Sequence, residues 1–278
     1  MTIQLVLYDK NGRIKQASNT YEDFCHSMMA EDDERVYLSN QMMTFEIGDY
    51  FEITLSKEKQ YVIVQLDKTL APNMIFIKDK KFRYDVPLEK NWIESSADIA
   101  FKGYNHYISA RYAMKHEIEN YQNLSRNTHD LKDETGAFPH ASANVETRND
   151  ATFFARNAID GIYANNSHGS YPYQSWGINQ QDDAMLTIDY GRTVRINRID
   201  LTLRADFPHD NYWVSATVVF SDGSEEKLGL EQTAHTQSFS INERKTSVII
   251  LKNLIKSSDS ASSFPALSQI DTYGRNIQ

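Results

Sequence analysis

Two segments concentrate the side chains that could do chemistry: His168-Gly-Ser-Tyr-Pro-Tyr-Gln-Ser-Trp176 and Arg204-Ala-Asp-Phe-Pro-His-Asp-Asn-Tyr-Trp213. In both, rings alternate with groups that hydrogen-bond hydroxyls, on what should be loops flanking strands. That mixture suits a sugar, because a pyranose offers one apolar C–H face for stacking and a rim of hydroxyls that want paired donors and acceptors. His168, Tyr171, Arg204, Asp206, His209, Asp210, Asn211 and Trp213 are therefore the candidate ligand-binding residues. Plainer readings stand beside this one. Arg204 and Asp206 would serve equally as an internal ion pair bracing the loop, and Trp213 divides evenly between stacking ring and core anchor.

The histidines admit a rival from another class. His140, His168, His209 and His235 all fall in the second half of the chain, and two of them with Asp206 or Asp210 would give the imidazole and carboxylate donors of a zinc site. That reading is a metal-dependent or hydrolytic enzyme with a site between domains, using His168, His209 and Asp206. No His-Glu-x-x-His spacing supports it, and the sequence has no Gly-x-Ser-x-Gly elbow and no phosphate-cradling glycine loop. Asp182 and Asp183 are adjacent, so on a strand or loop they point apart and make no acid/base pair. A third reading is a protein-interaction or adhesion scaffold.

The elements that must hold these residues are mostly strands. Residues 1–100 carry short β-branched and aromatic runs between turns: Ile3 to Tyr8, Val36 to Leu38, Tyr50 to Leu55, Tyr61 to Leu66, Met74 to Ile77 and Phe82 to Val86. Tyr107, Ala110, Met114, Ile118, Tyr121 and Leu124 then recur at spacings of three and four, which predicts an amphipathic helix joining two domains. The polar stretch Ser125 to Gly136 ends it. Strands resume at Met185 to Ile188, Ile199 to Leu203, Ser215 to Phe220, Ser247 to Leu251 and Ile270 to Tyr273, with turn signals at Tyr190-Gly191 and Ser221 to Ser224. The expectation is a mainly β protein: an N-terminal β-rich domain over residues 1–104, for which a divergent sandwich is one open form, a linking helix and loop over 105–137, and a β-sandwich over 138–278.

Five blocks in this last part, Asn157-Ala-Ile-Asp-Gly161, Ser175-Trp176, Ala184 to Gly191, Ile196 to Ile199 and Ala266 to Gly274, resemble in order and spacing the discoidin or coagulation factor C-domain family. The match covers about half of the chain. The resemblance implies a galactose-binding-like jelly roll, a saccharide partner held by loops at one end of the sandwich, and Trp176 in the core. It also implies a structural calcium near Asp160, with that carboxylate and backbone oxygens from Asn157, Tyr163 and Asn165 as ligands. The departure is Gln269, where many bacterial sugar-binding members place a calcium-ligating glutamate. An equal reading has Asp160 simply capping a turn.

Composition sets the limits. A formal net charge of −9 over 278 residues opposes attraction to nucleic acid or anionic lipid. Cys25 is the only cysteine, which excludes an intrachain disulfide. The start, Met1 to Asp9, has no basic region and only a short apolar run, so it reads as neither signal peptide nor membrane span. The chain as given is expected in the cytoplasm, unless it is a piece of a secreted protein.

Overall fold

A computed structural model describes residues 1–277, with side chains outside residues 22–24. The N-terminal half is built from two larger antiparallel sheets and a two-stranded one pairing Gln16–Asn19 with Glu22–Ser27. One orders the strands Met29–Asp32, Ile3–Tyr8, Tyr50–Leu55 and Lys81–Asp85; the other orders Ala137–Phe138, Asn73–Ile77, Gln60–Gln65, His106–Tyr112 and Arg35–Asn40. The runs read at Tyr50 to Leu55 and Val36 to Leu38 lie in the strands Tyr50–Leu55 and Arg35–Asn40, which bury every second residue, as a sheet with one covered face requires. Both sheets bury that face on a shared core that includes Leu5, Ile53, Val64 and Ile75, which makes this half a β-sandwich.

The helix expected from Tyr107 to Leu124 is not formed. His106–Tyr112 is a strand, paired on one side with Arg35–Asn40 and on the other with Gln60–Gln65, and only Lys115–Glu119 is helical. A period of two was hidden inside the period of three and four: His106, Ile108 and Ala110 point inward while Tyr107 is 54% exposed. The ladder bonds available from two neighbouring strands outweigh the local helical pattern. Met114 and Tyr121 are exposed as well, and Ala110 and Leu124 belong to different cores. The N-terminal core therefore extends past residue 104, through Ile108 and Ala110 to Leu131 and Ala137.

The C-terminal half is antiparallel throughout, in the order Gln122–Asn123, Ala266–Asn276, Leu186–Leu203, Gln237–Lys256, Trp213–Phe220 and Glu225–Gly229, with His140–Ala143 and Trp176–Gly177 added at the sides. Two strands are long, at 18 and 20 residues: Leu186–Leu203 joins the runs predicted at Met185 to Ile188 and Ile199 to Leu203, and Gln237–Lys256 extends the single run predicted at Ser247 to Leu251. The turn expected at Tyr190-Gly191 is instead a register shift inside Leu186–Leu203. Gly191 lies there at φ +66°, and a Cβ would meet the Phe138 ring at 2.4 Å, so glycine is required on both counts. A second shift near Asn197 moves the inward-facing register from Ile196 to Ile199, and the strand keeps one continuous core supplied. The turn at Ser221 to Ser224 forms as read, between Trp213–Phe220 and Glu225–Gly229.

The two halves meet over several small contacts. The chain passes from Ala137–Phe138, paired to the N-terminal sheet, straight into His140–Ala143, paired to the C-terminal one. The Arg192 guanidinium covers the Tyr61 and Phe76 rings at 5.1 and 5.2 Å, and Trp92 packs edge-on against Phe154 at 5.3 Å. Among the described residues no helix is long and apolar enough to cross a membrane.

Candidate functional site

Three loops converge at one end of the C-terminal sandwich. One carries His168, the second follows Leu203 and carries Arg204 to Tyr212, and the third runs from Ser257 to Pro265 into the strand Ala266–Asn276. Between them opens a cleft of about 260 Å³ lined by His168, Arg204, His209, Phe264, Phe153 and Arg148, among others. Its floor is Gly177, where a Cβ would press the Thr147 hydroxyl at 2.7 Å and the Phe153 ring at 3.0 Å. Hydrogen bonds staple the second loop to the third. Asn211 Nδ2 donates to the main-chain oxygens of Ser257 and Ser262 at 3.1 and 2.9 Å, the Ser262 hydroxyl donates to His209 O at 2.7 Å, and Arg204 Nη2 donates to Phe264 O. Phe264 is thereby held at the rim, half exposed.

Under the cleft lies a charged triad. Arg204 Nε stands 3.1 Å from Asp206 Oδ1, and Asp206 Oδ2 accepts from His168 Nδ1 when that nitrogen is protonated. Asp206 thus braces both a cleft arginine and a cleft imidazole, which joins the ion-pair reading to the ligand reading. Asp210 is 1% exposed with neither carboxylate oxygen hydrogen-bonded. Its desolvation, reinforced by the charge of Asp206 and opposed by Arg204, pushes its carboxyl up to about 6. A carboxyl raised in the folded state favours folding when protonated, and that contribution is lost as pH rises from about 4 through about 6. Asp210→Asn should accordingly raise the melting temperature by several degrees at pH 7.5 and leave it nearly unchanged at pH 4. Melting curves at the two pH values check this, and a variant no more stable at pH 7.5 would show that the buried carboxylate has found a partner.

The structure brings His168, Arg204, Asp206 and His209 together and removes others from the ligand set. Trp213 is no stacking ring: it is 1% exposed and packs against Trp176, centroids 6.4 Å apart, because the strand Trp213–Phe220 turns it into the core. Asn211 and Asp210 are buried, the one as a loop staple and the other beneath the cleft. Tyr171 does not face His168 across the cleft; its main chain donates to Glu94 O and its side chain lines a different cavity, at the junction of the halves. The enzyme reading placed His168, His209 and Asp206 between domains, whereas the cleft is lined wholly from residues 147–266. Among the described residues no three His, Cys, Asp or Glu stand close enough to hold a metal. Phe264 was missed, and its signal was present: a single ring closing the serine-rich run Ser257 to Ser263.

The calcium donors were tested against the geometry around Asp160. Gln269 Nε2 already donates to Asn157 O at 2.7 Å, Asp160 Oδ1 at 2.7 Å and Ser268 O at 2.6 Å, while its Oε1 accepts from Gly161 N at 3.0 Å. The oxygens a cation would gather are gathered by an amide nitrogen, and the Gly161 bond fixes which end of the amide faces them. Of the other two backbone oxygens in the set, that of Asn165 is engaged, and both side chains are held elsewhere. Tyr163 donates its hydroxyl to Asp271 Oδ2, Asn165 donates from Nδ2 to Leu203 O and Ala234 O, and Asn165 O accepts from Ala205 N. Asp160 accepts further bonds from Ile162 N and Gln174 Nε2 and, through burial, has its carboxyl raised to about 6. A calcium ion wants six to eight oxygens. This donor set, with an N–H group at its centre, does not fit one.

No family model matches the sequence, and no curated protein does. Among solved structures the chain is similar to a family 32 carbohydrate-binding module of C. perfringens NanJ in complex with galactose, at 18% identity over 48% of this chain and 91% of that one, TM-score 0.36. A fucose-binding module of Streptococcus pneumoniae is similar at 13% identity over 56% and 99%, TM-score 0.39. A chitosan-binding module from a Paenibacillus chitosanase/glucanase is similar at 16% over 56% and 100%, TM-score 0.37. Likenesses of this size decide nothing about the function of this chain.

Proposed function

We propose that the cleft at the loop end of the C-terminal sandwich binds a saccharide without transforming it. The observation that carries this is the placement of a half-exposed Phe264 ring beside His168, Arg204 and His209 in one concave site. Phe264 supplies the face against which pyranose C–H groups stack, and the imidazoles and guanidinium address the hydroxyl rim. The site is held before ligand arrives, since Asp206 fixes Arg204 and His168 and Asn211 ties down the loop of Phe264. Such bracing lowers the ordering cost of binding.

A glycan array on the chain, followed by titration of the best ligand, tests the reading. Phe264→Ala should lower affinity by roughly tenfold or more with the melting temperature nearly unchanged, as expected for an exposed anchor ring. His209→Ala should weaken binding in the same direction. Full affinity in both variants would remove this cleft as the saccharide site.

A further inference from the structure

The cleft at the loop end of the C-terminal sandwich is lined unevenly in charge. Arg148, His168, Arg204 and His209 all line it, and among the described residues around it none is acidic. Arg204 is 5% exposed and held at two points, with Nε 3.1 Å from Asp206 Oδ1 and Nη2 donating to Phe264 O. Its Nη1 has no protein partner among the described residues, yet it is not one of the buried unpartnered atoms, so it keeps accessible surface.

Arg148 stands in left-handed backbone, at φ +56°, and its side chain is 68% exposed. Its guanidinium lies 5.4 Å from the centre of the Phe153 ring, which also lines the cleft. Nη2 is 3.6 Å from Asp150 Oδ2, an exposed pairing that water screens and a ligand can compete with. His168 differs from both arginines. The tautomer that gives Nδ1–H to Asp206 leaves Nε2 as an acceptor.

These groups ask for two different things of one ligand. A sugar hydroxyl carries a hydrogen that wants an acceptor, and His168 Nε2 answers it. A guanidinium only donates, so Arg148 and Arg204 are matched by a group that only accepts, and a carboxylate is such a group, forming the stronger charge-assisted bonds. Asp150 beside Arg148, Asp206 beside Arg204 and Asp210 beneath the cleft offset much of the positive charge, and the chain as a whole carries −9. The site is therefore suited to a single carboxylate and not to a polyanion. On the basis of the saccharide reading of this cleft, we infer that it selects a uronic acid, with the sugar carboxylate facing Arg148 and Arg204, a hydroxyl donating to His168 Nε2, and the ring against Phe264.

Galacturonate and glucuronate are the probes, each titrated calorimetrically beside its neutral parent, galactose or glucose, at one ionic strength. At least one uronate should bind roughly tenfold more tightly than its parent, the size expected for a charge-assisted pair at a partly exposed site. Arg148→Gln should bring that ratio close to one, and Arg148→Lys, which keeps the charge, should retain part of it. Melting curves check that both variants fold, as their exposed side chain leads one to expect. No binding of either uronate, equal binding of each uronate and its parent, or a preference unchanged in Arg148→Gln would each overturn the acidic class. The broader reading is decided separately by Phe264→Ala: binding without acid preference that this variant weakens leaves a neutral-sugar site, whereas saccharide binding that it leaves intact removes the cleft and the uronate with it.

Discussion

Trp213→Ala is expected to destabilise the C-terminal sandwich by about 3–5 kcal/mol, the range for removing a large ring from a packed interior. Trp213 is among the largest fully buried side chains, and its loss opens a hole against Trp176 and between strands that cannot close around it. In a domain of this size the melting temperature should fall on the order of 10 °C. Trp213→Phe should cost much less, because the indole N–H it removes has no hydrogen-bond partner. Calorimetry on the two variants, with saccharide affinity measured below the transition, separates packing from recognition. Intact stability with lost affinity in Trp213→Ala would return this ring to the ligand site.

Gln269→Glu should convert a self-sufficient loop into one that needs a cation. In the wild type the two amide hydrogens of Gln269 point among three oxygens within hydrogen-bond distance, so calcium and chelator should give the same melting curve. A glutamate there turns those donated bonds into repulsion, facing Asp160 and two main-chain oxygens in a buried site. Without metal the variant should lose about 3 kcal/mol, in the range for breaking a buried polar network by changing one partner. Calcium should then restore much of that loss by binding only the folded form. Melting temperatures of both chains in calcium and in chelator are the check. A saturable rise in the wild type would mean that the amide does not hold that position.

Part of this molecule was legible in one dimension. The β-branched and aromatic runs Tyr50 to Leu55 and Val36 to Leu38 marked two strands because such side chains suit a pleated surface with one covered face. The turn at Ser221 to Ser224 was legible for a similar reason, since Asp222 accepts from Ser224 two residues on and needs no distant partner. The two aromatic and polar loops were recognisable as loops with binding chemistry, and four of their eight chosen residues, His168, Arg204, Asp206 and His209, do meet at the cleft.

The remainder depended on partners far away in the chain. His106–Tyr112 reads locally as a helix and becomes a strand because Arg35–Asn40 and Gln60–Gln65 take up its main-chain groups from both sides. Trp213 and Phe264 sit in comparable polar surroundings in sequence, but the first is rotated onto Trp176 and the second is held at the rim by Arg204 and Asn211. Tyr171, chosen with His168, is carried across to the other half of the molecule by its bond to Glu94. What the sequence by itself determined was the set of strands with a visible period, the local turns and the chemical character of the loops. Only the tertiary structure decided which rings face solvent and which oxygens the Gln269 amide meets, because each follows from burial and pairing between residues tens to more than a hundred positions apart.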